Sequence, residues 1–398
     1  MLKKVSFYLL VLLGTTLHAQ FIPISEATEI SILTIGPGDQ LYDKFGHSAF
    51  RVKDTVNGYD IVYNYGTYNF NTPNFYTKFA QGKLLYELSE GYYEPFYKRY
   101  VAENRWIKEQ QLDLTLVEKE ALFEYLQTNA RPQNRAYRYD FFYDNCATKI
   151  RDVLKRVLGE RLQYTDDFVT ETYSFRELIQ NNVDANTWGS LGMDVAIGAV
   201  VDQKATAWEY QFLPDYIFKA AETATLERGS EEVPLVKNTT TLYDADREET
   251  KNSFVTSPLA IFGLIAILIL FITYRDYRHD TRSRLTDVLL ISITGVIGII
   301  LLLLWFATDH SATANNYNLL WAFPFNVLIA YAIAKRKPKA WVRKYVIFLL
   351  LLLTLLVIHW FTGVQAFAIG FIPLFVALAV RYLYVVSYLK KHAVLPLR

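Results

Sequence analysis

Five apolar segments follow one another in the second part of this 398-residue chain, and they limit the folds that this part can adopt. Each segment is near the length that a helix needs to cross a bilayer, although the third and fourth are short. They cover residues 258–274, 287–306, 318–334, 345–360 and 367–386. The series predicts a C-terminal domain of five transmembrane helices over residues 254–398.

The connections between these apolar segments alternate in charge. The connection from Arg275 to Arg284 carries four arginines and the one from Lys335 to Lys344 carries six basic residues, whereas residues 307–317 and 361–366 contain no lysine or arginine. Short basic connections stay on the cytoplasmic side of a membrane. The pattern predicts a multi-pass protein in contact with the lipid of a bacterial inner membrane, with a periplasmic N-terminal domain and a cytoplasmic C-terminus.

The first 19 residues have the composition of a signal peptide. Lys3 and Lys4 precede the apolar stretch Val5–Leu13, and Leu17-His18-Ala19 is a suitable cleavage site before Gln20. The alternative is an uncleaved anchor helix, although the apolar stretch is short for a bilayer span. A signal peptide over residues 1–19 predicts that the domain after it is exported.

The region between the signal peptide and the apolar segments is acidic and rich in aromatic residues. Residues 20–251 contain about 36 acidic and 25 basic side chains, a balance that argues against a nucleic-acid partner. Polar runs such as Glu231-Glu232 and Asn238-Thr239-Thr240-Thr241 predict a mobile linker over residues 227–253. The predicted periplasmic domain therefore covers residues 20–226.

This domain has the local signals of an α+β fold. Capping boxes at Thr115–Glu118 and Ser174–Glu177 predict two helix starts. A turn at Asp54–Gly58 predicts that the strands on either side of it pair with each other. Alternating apolar residues predict strands at Glu29–Ile35, His47–Lys53, Asp60–Tyr65, Leu84–Leu88 and Gln110–Leu114.

Cys146 is the only cysteine of the chain, so it has no intramolecular disulfide partner. Apolar residues recur from Ile150 to Leu158 at helical spacing, and Gly159 predicts the helix end. With Asp144 or Asn145 as N-cap, Cys146 falls in the first turn, where the helix dipole and free N–H groups stabilise a thiolate. The alternative is an unreactive cysteine that packs against the sheet.

His47 is the only histidine in the predicted mature periplasmic domain, so it is the candidate base for Cys146. The alternative role is that of a hydrogen-bonded strand histidine. A third group normally orients such an imidazole. The neighbouring strand offers Asn64, with Tyr65 and Asp60 as weaker alternatives. The prediction is a catalytic set of Cys146, His47 and Asn64.

Longer motifs carry a resemblance to known families. Gly46–Val52, Tyr63–Tyr68 and Phe142–Asp152 together resemble the Lnb N-terminal periplasmic domain family. Thr308-Asp309-His310 with Asn318–Pro324 resembles the Lnb-like transmembrane domain. The order histidine, polar residue, cysteine is also similar to that of circularly permuted papain-like proteins of the NlpC type, including lecithin:retinol acyltransferase-like enzymes. The resemblance implies an α+β, permuted papain-like domain with His47 as base, Asn64 as orienting group and Cys146 as nucleophile.

The same resemblance implies two alternative functions. The first is a thiol-dependent hydrolase or acyltransferase, related to amidases and peptidases, that acts on an amide or ester of a peptide or lipid-linked cell-envelope substrate. The second is a non-catalytic assembly or folding factor whose partner is an exported protein such as a glycosidase. The predicted substrate contacts are Tyr65, Tyr143, Asp309 and His310, and no metal or cofactor is predicted.

Overall fold

The computed structural model describes residues 21–246 and 253–392, so the predicted signal peptide lies outside the described residues. The N-terminal domain is built on a seven-stranded antiparallel sheet with the strand order β10-β5-β1-β2-β3-β4-β6. Its strands are β1 (Glu29–Ile35), β2 (His47–Asp54), β3 (Tyr59–Thr67), β4 (Leu85–Tyr92), β5 (Ile107–Leu112), β6 (Ala136–Arg138) and β10 (Val236–Tyr243). A second sheet joins β7 (Leu162–Gln163), β8 (Thr225–Arg228) and β9 (Glu231–Pro234).

The turn between β2 and β3 sets the register of the strand pair that carries the site. The side chain of Asp54 accepts hydrogen bonds from the backbone of Asn57 at 2.8 Å and from the hydroxyl of Thr28 at 2.6 Å. Phe50 pairs with Tyr63, and both contribute to the core on one face of the sheet. Strand alternation then places His47 and Asn64 on the opposite face.

Eight helices pack around these sheets in the described part of the N-terminal domain. They are α1 (Phe75–Ala80), α2 (Tyr93–Ala102), α3 (Leu116–Ala130), α4 (Cys146–Leu158), α5 (Phe175–Gln180), α6 (Trp188–Ala196), α7 (Ala207–Tyr210) and α8 (Pro214–Thr223). The capping boxes predicted at Thr115 and Ser174 are both present. Helix α4 buries its apolar stripe, from Ile150 to Leu158, against the sheet. The structure thus forms a mixed α/β domain.

The first part of the predicted linker, residues 227–253, forms strands in the structure. Residues 231–234 form β9, and residues 236–243 form β10, which pairs with β5 at the sheet edge. Most side chains of β10 are exposed, as expected for an edge strand with one neighbour. The polar composition that predicted a linker is therefore that of a solvated edge strand, and the ordered domain extends to Tyr243.

Within residues 253–392, the part of the C-terminal domain that the structure describes, four helices are long and apolar enough to cross a membrane. These are α9 (Pro258–Arg278), α10 (Arg284–Phe306), α12 (Ala340–Phe361) and the span Ile369–Lys391, which contains α13 (Ile372–Lys391). The third predicted span, residues 318–334, is not one continuous helix in the structure. It contains a 3-10 turn at Tyr317–Leu320 and a nine-residue helix, α11 (Asn326–Ala334).

Two features explain the interruption of the third span. Pro324 cannot donate a backbone hydrogen bond, so it ends a helix that would run through it. A Cβ at Gly298 of α10 would lie 2.1 Å from the carbonyl oxygen of Ala322, so this glycine is needed for the non-helical backbone to pass α10. Asn326 is the first residue of α11. Its side-chain amide donates a hydrogen bond to the hydroxyl of Thr294 at 2.9 Å and accepts one from the hydroxyl of Tyr345 at 2.6 Å.

Helix α11 nevertheless returns the chain to the end of the bundle where α10 begins. Arg282 donates hydrogen bonds to the carbonyls of Ile333 and Lys335, both at 2.8 Å. The basic connections therefore lie together at one end of the bundle. The N-terminal domain contacts the other end, where Asn316 donates to the carbonyl of Val195 and Ala366 donates to Asp202.

A buried charge cluster holds three of the long helices together. Arg381 of α13 is fully buried and pairs with Asp287 of α10 at 2.7 Å and with Asp276 of α9 at 2.8 Å. Its guanidinium also donates to the carbonyl of Ser283 at 3.1 Å. One arginine therefore pairs with two buried carboxylates. Asp287 also lies 3.4 Å from Arg282, and Asp276 also accepts from the N–H of Ser283 at 2.7 Å.

A candidate thiol active site

Helix α4 begins at Cys146 because Asn145 caps it. The Asn145 side-chain oxygen accepts from the N–H groups of Ala147 at 2.8 Å and Thr148 at 2.9 Å. Its amide nitrogen donates to the carbonyls of Phe141 at 2.6 Å and Phe212 at 2.8 Å. Both the oxygen and the nitrogen of the Asn145 amide are therefore hydrogen-bonded. This cap places the thiol of Cys146 in the first helical turn.

Asn64 orients the ring of His47. Its side-chain oxygen lies 2.6 Å from His47 Nε2. An amide oxygen can only accept, so Nε2 carries a proton and Nδ1 is the nitrogen available to Cys146. A hydrogen bond joins the His47 and Cys146 side chains. The structure therefore brings the three predicted catalytic residues into one hydrogen-bonded chain.

The electrostatics of the site favour charge separation between Cys146 and His47. Burial alone would raise the pKa of the Cys146 thiol, but the charge and hydrogen bond of His47, with the N–H groups of Ser48 and Ala147, hold that pKa below its ordinary value. Burial alone would also lower the pKa of His47, but the thiolate and the hydrogen bonds to Cys146 and Asn64 raise it. Each group therefore favours the charged form of the other.

Two residues that the sequence prediction did not include complete the surroundings of the thiol. Gly66 has φ +90° at a register shift between Asn64 and Thr67, and a Cβ placed on it would lie 3.7 Å from Cys146 Cβ. Contact at that distance is ordinary, so the positive φ of the bulge, and not crowding, is what favours glycine at this position. Burial, followed by the charge of Cys146, raises the pKa of Tyr139 well above its ordinary value, so this phenol stays protonated beside the thiol.

Lys149, in the first turn of α4, does not contact the thiol. Its ammonium pairs with Asp144 at 2.5 Å and lies over the ring of Tyr137 at 4.4 Å. The other predicted N-cap, Asp144, is therefore used for this ion pair. The lowered pKa of Cys146 comes from His47 and backbone N–H groups and not from a lysine.

Two tyrosines predicted to contact substrate have different positions. Tyr65 is buried in the core, and its hydroxyl donates to Asn129 at 2.5 Å. This corrects the prediction that Tyr65 contacts substrate, because its ring is on the core side of β3. Tyr143 is 49% exposed on the turn before Cys146 and is accessible to a bound molecule.

Asp309 and His310 lie in the outer connection between α10 and α11, beside the elements that border the site. Asp309 pairs with Arg138 of β6 at 2.8 Å, and its N–H donates to the carbonyl of Gln81 at 2.8 Å. A Cβ on Gly82 would lie 3.2 Å from Nδ1 of His310. Both residues therefore contact the N-terminal domain directly.

The same connection contacts the turn that leads to Cys146, a contact that the sequence did not predict. The hydroxyl of Ser311 donates to Asp140 at 2.6 Å. The other carboxylate oxygen of Asp140 accepts from the N–H groups of Phe142 at 2.9 Å and Tyr143 at 3.1 Å. Asp140 is thus a direct link between the membrane domain and the turn before α4.

The described residues, 21–246 and 253–392, contain no group of three or more histidine, cysteine, aspartate or glutamate side chains arranged to hold a metal ion. The polar groups around Cys146 are instead an imidazole, an amide and phenols. These are groups that move protons and position a carbonyl compound.

Comparison with known families divides the chain in two. Residues 20–181 match the family model described as the Lnb N-terminal periplasmic domain, and residues 249–393 match the one described as the Lnb transmembrane domain. No curated protein and no solved structure matches the chain. The permuted papain-like topology stays a prediction.

Proposed function

We propose that this chain, an Lnb N-terminal periplasmic domain joined to an Lnb transmembrane domain, is a membrane-anchored thiol hydrolase or acyltransferase. Its substrate would be an amide or ester of the cell envelope. The observation that carries the proposal is the hydrogen-bonded chain from Cys146 through His47 to Asn64. A lowered thiol pKa next to an oriented imidazole is the arrangement that nucleophilic catalysis by cysteine requires.

In the first step, the Cys146 thiolate attacks the substrate carbonyl carbon and forms a carbon–sulfur bond. The carbonyl oxygen becomes an oxyanion. The N–H groups of Ala147 and Thr148 already donate to Asn145, so the N–H of Cys146 itself is the first-turn donor proposed to stabilise this oxyanion. The tetrahedral intermediate collapses, the bond to the leaving nitrogen or oxygen breaks, and the His47 imidazolium gives its proton to that atom. The products are a thioester on Cys146 and a free amine or alcohol.

In the second step, His47 acts as a base. It removes a proton from water, or from an amine or hydroxyl of an acceptor, as that group attacks the thioester carbonyl. The second intermediate collapses, the carbon–sulfur bond breaks and the Cys146 thiolate is released with His47 protonated again. Water as acceptor gives hydrolysis, and an envelope molecule as acceptor gives acyl transfer. Tyr143, Asp309 and His310 are the proposed contacts of the substrate.

The purified full chain, incubated with bacterial envelope extract and quenched in acid, is expected to carry an acyl group on the peptide that contains Cys146. Intact-peptide mass spectrometry detects the adduct, and hydroxylamine should remove it because a thioester is labile to this nucleophile. Cys146→Ala should give no adduct, because it lacks the attacking sulfur. Equal retention of extract proteins by wild type and Cys146→Ala, with no adduct on either, would favour a folding factor.

We further propose that the N-terminal domain is periplasmic and the C-terminus cytoplasmic. The supporting observation is that the basic connections lie at the bundle end away from the N-terminal domain. An alkaline phosphatase reporter fused after Ser253 is expected to be active, and the same reporter fused after Lys337 or Arg398 is expected to be silent. An active fusion after Arg398 would contradict this orientation.

A further inference from the structure

An exposed aromatic patch lies on and beside helix α1. It consists of Tyr68, Phe70, Phe75, Tyr76 and Phe79, whose rings contact one another with centroid separations from 4.9 to 6.4 Å. Phe70 is 67% exposed, Tyr76 80% and Phe79 53%. A contiguous cluster of exposed rings of this kind marks an interaction surface.

Helix α1 is fixed close to the outer end of a membrane span. The residue after α1, Gln81, accepts a backbone hydrogen bond from Asp309 at 2.8 Å, and Asp309 follows shortly after the end of α10 at Phe306. A six-residue helix is about 9 Å long. The headgroup layer on each side of the hydrocarbon is about 5–7 Å thick. Every residue of α1 therefore lies within roughly 10 Å of the contact with Asp309, a distance comparable with the thickness of this layer.

The neighbourhood of the patch has the composition of a bilayer interface. Trp305 and Phe306 stack at 4.7 Å at the end of α10, and Phe306 is 71% exposed. Aromatic rings concentrate at this depth in membrane proteins. Lys78 within α1 and the exposed Lys83 after it supply positive charge for anionic headgroups. Rings and lysines on one short helix are typical of a segment that lies in the interface.

We propose that the aromatic patch inserts into the outer leaflet of the membrane, at the boundary between headgroups and acyl chains. The N-terminal domain then binds lipid itself, in addition to its contacts with the transmembrane bundle. The patch continues toward the thiol, because Tyr86 contacts Tyr68 at 5.3 Å and stacks on Tyr139 at 4.4 Å. Insertion therefore holds the Cys146 side of the domain against the leaflet. This inference is independent of any catalysis by Cys146.

The test measures the depth of single labels in the full chain. Cys146→Ala removes the native thiol, and Tyr76→Cys then provides one site for a bimane fluorophore. Tyr92→Cys is the matched control, because Tyr92 is 74% exposed but lies far from the membrane domain. Strand β6, which contacts Asp309 through Arg138, pairs with the first residues of β4, whereas Tyr92 is the last residue of β4. Each protein is reconstituted into phosphatidylcholine–phosphatidylglycerol vesicles that contain lipid with a doxyl group high on the acyl chain.

The label at position 76 is expected to be quenched about threefold more by the doxyl lipid than the label at 92, since interfacial helices bury their apolar face by about 5–10 Å. Aqueous iodide should show the reverse order. Iodide quenching of the label at 76 equal to that at 92 would overturn the proposal. Shielding of the label at 76 from both quenchers would also overturn it and would indicate a protein partner instead of lipid. Phe79→Cys repeats the measurement if Tyr76→Cys does not fold.

Discussion

Replacing His47 by alanine is expected to slow alkylation of Cys146 by iodoacetamide at pH 6 by about 10- to 100-fold. His47 is the main group that holds the pKa of the thiol below its ordinary value. Without the imidazole, a thiol with the ordinary cysteine pKa of about 8.5 is only about 0.3% ionised at pH 6. The more basic thiolate is intrinsically more nucleophilic, and this recovers part of the loss.

The alkylation rates of wild type and His47→Ala should also depend differently on pH. A lowered thiol pKa keeps more of the thiol ionised as the pH falls, so the wild-type rate should fall less steeply between pH 8 and pH 6 than that of an ordinary thiol. The rate of His47→Ala should fall about tenfold per pH unit over the acid part of this range, because the neutral thiol predominates there. Mass spectrometry of the Cys146 peptide measures both rates.

His310→Ala is the matched control for this comparison. His310 lies beside Gly82 in the outer connection and has no part in the hydrogen-bonded chain at the thiol. Its replacement should leave the alkylation rate within about twofold of wild type. If a folded His47→Ala protein is alkylated at pH 6 as fast as wild type, His47 does not activate the thiol, and the proposed mechanism fails.

Arg381→Leu is expected to destabilise the chain by about 3–5 kcal/mol, because it removes the buried cation that two buried carboxylates share and leaves them their contacts with Arg282 and Ser283. Asp276 and Asp287 come from different helices and both face the guanidinium of Arg381. Thermal unfolding of the detergent-solubilised full chain, with size-exclusion chromatography of the folded fraction, measures this loss. Adding Asp276→Asn and Asp287→Asn should recover part of it, since amides carry no charge that needs a partner.

A basic residue of the same helix provides the control. Lys391 of α13 also pairs with an aspartate, Asp280, at 2.7 Å, but both side chains are largely exposed. Lys391→Leu should therefore leave the unfolding temperature close to that of wild type, because solvent screens this pair. Equal unfolding temperatures for Arg381→Leu and wild type would show that the buried cluster does not hold the bundle together.

Local signals in the sequence were sufficient to predict the helix that carries the thiol. The apolar spacing from Ile150 to Leu158 and the end at Gly159 agree with the observed α4, and Asn145 is one of the two N-caps that the sequence left open. The pairing of His47 with Asn64 could also be anticipated, because a tight turn joins their strands. Each of these predictions depends only on residues close together in the chain.

Strand alternation could have excluded Tyr65 as a substrate contact. Neighbouring residues of a strand point to opposite faces of a sheet. If Asn64 faces His47, Tyr65 must face the core, as the structure shows. The sequence prediction names both residues at one site, although strand geometry allows only one of them there.

Tertiary contacts explain the features that the sequence did not predict. Strand β10 pairs with β5, whose residues lie more than 100 positions earlier, and no local pattern indicates that partner. The short α11 depends on the close approach of its preceding backbone to Gly298 and on the side chains that satisfy Asn326. A sum of residue hydropathies contains none of these contacts.

The cap of helix α4 also has a consequence for the order in which the protein matures. Asn145 requires the carbonyl of Phe212, which lies 67 residues further along the chain. Export threads the chain through the membrane from its N-terminus, so Cys146 emerges well before the residue that completes its cap. The start of the helix that carries the thiol is therefore complete only after a segment far along the chain has folded against it.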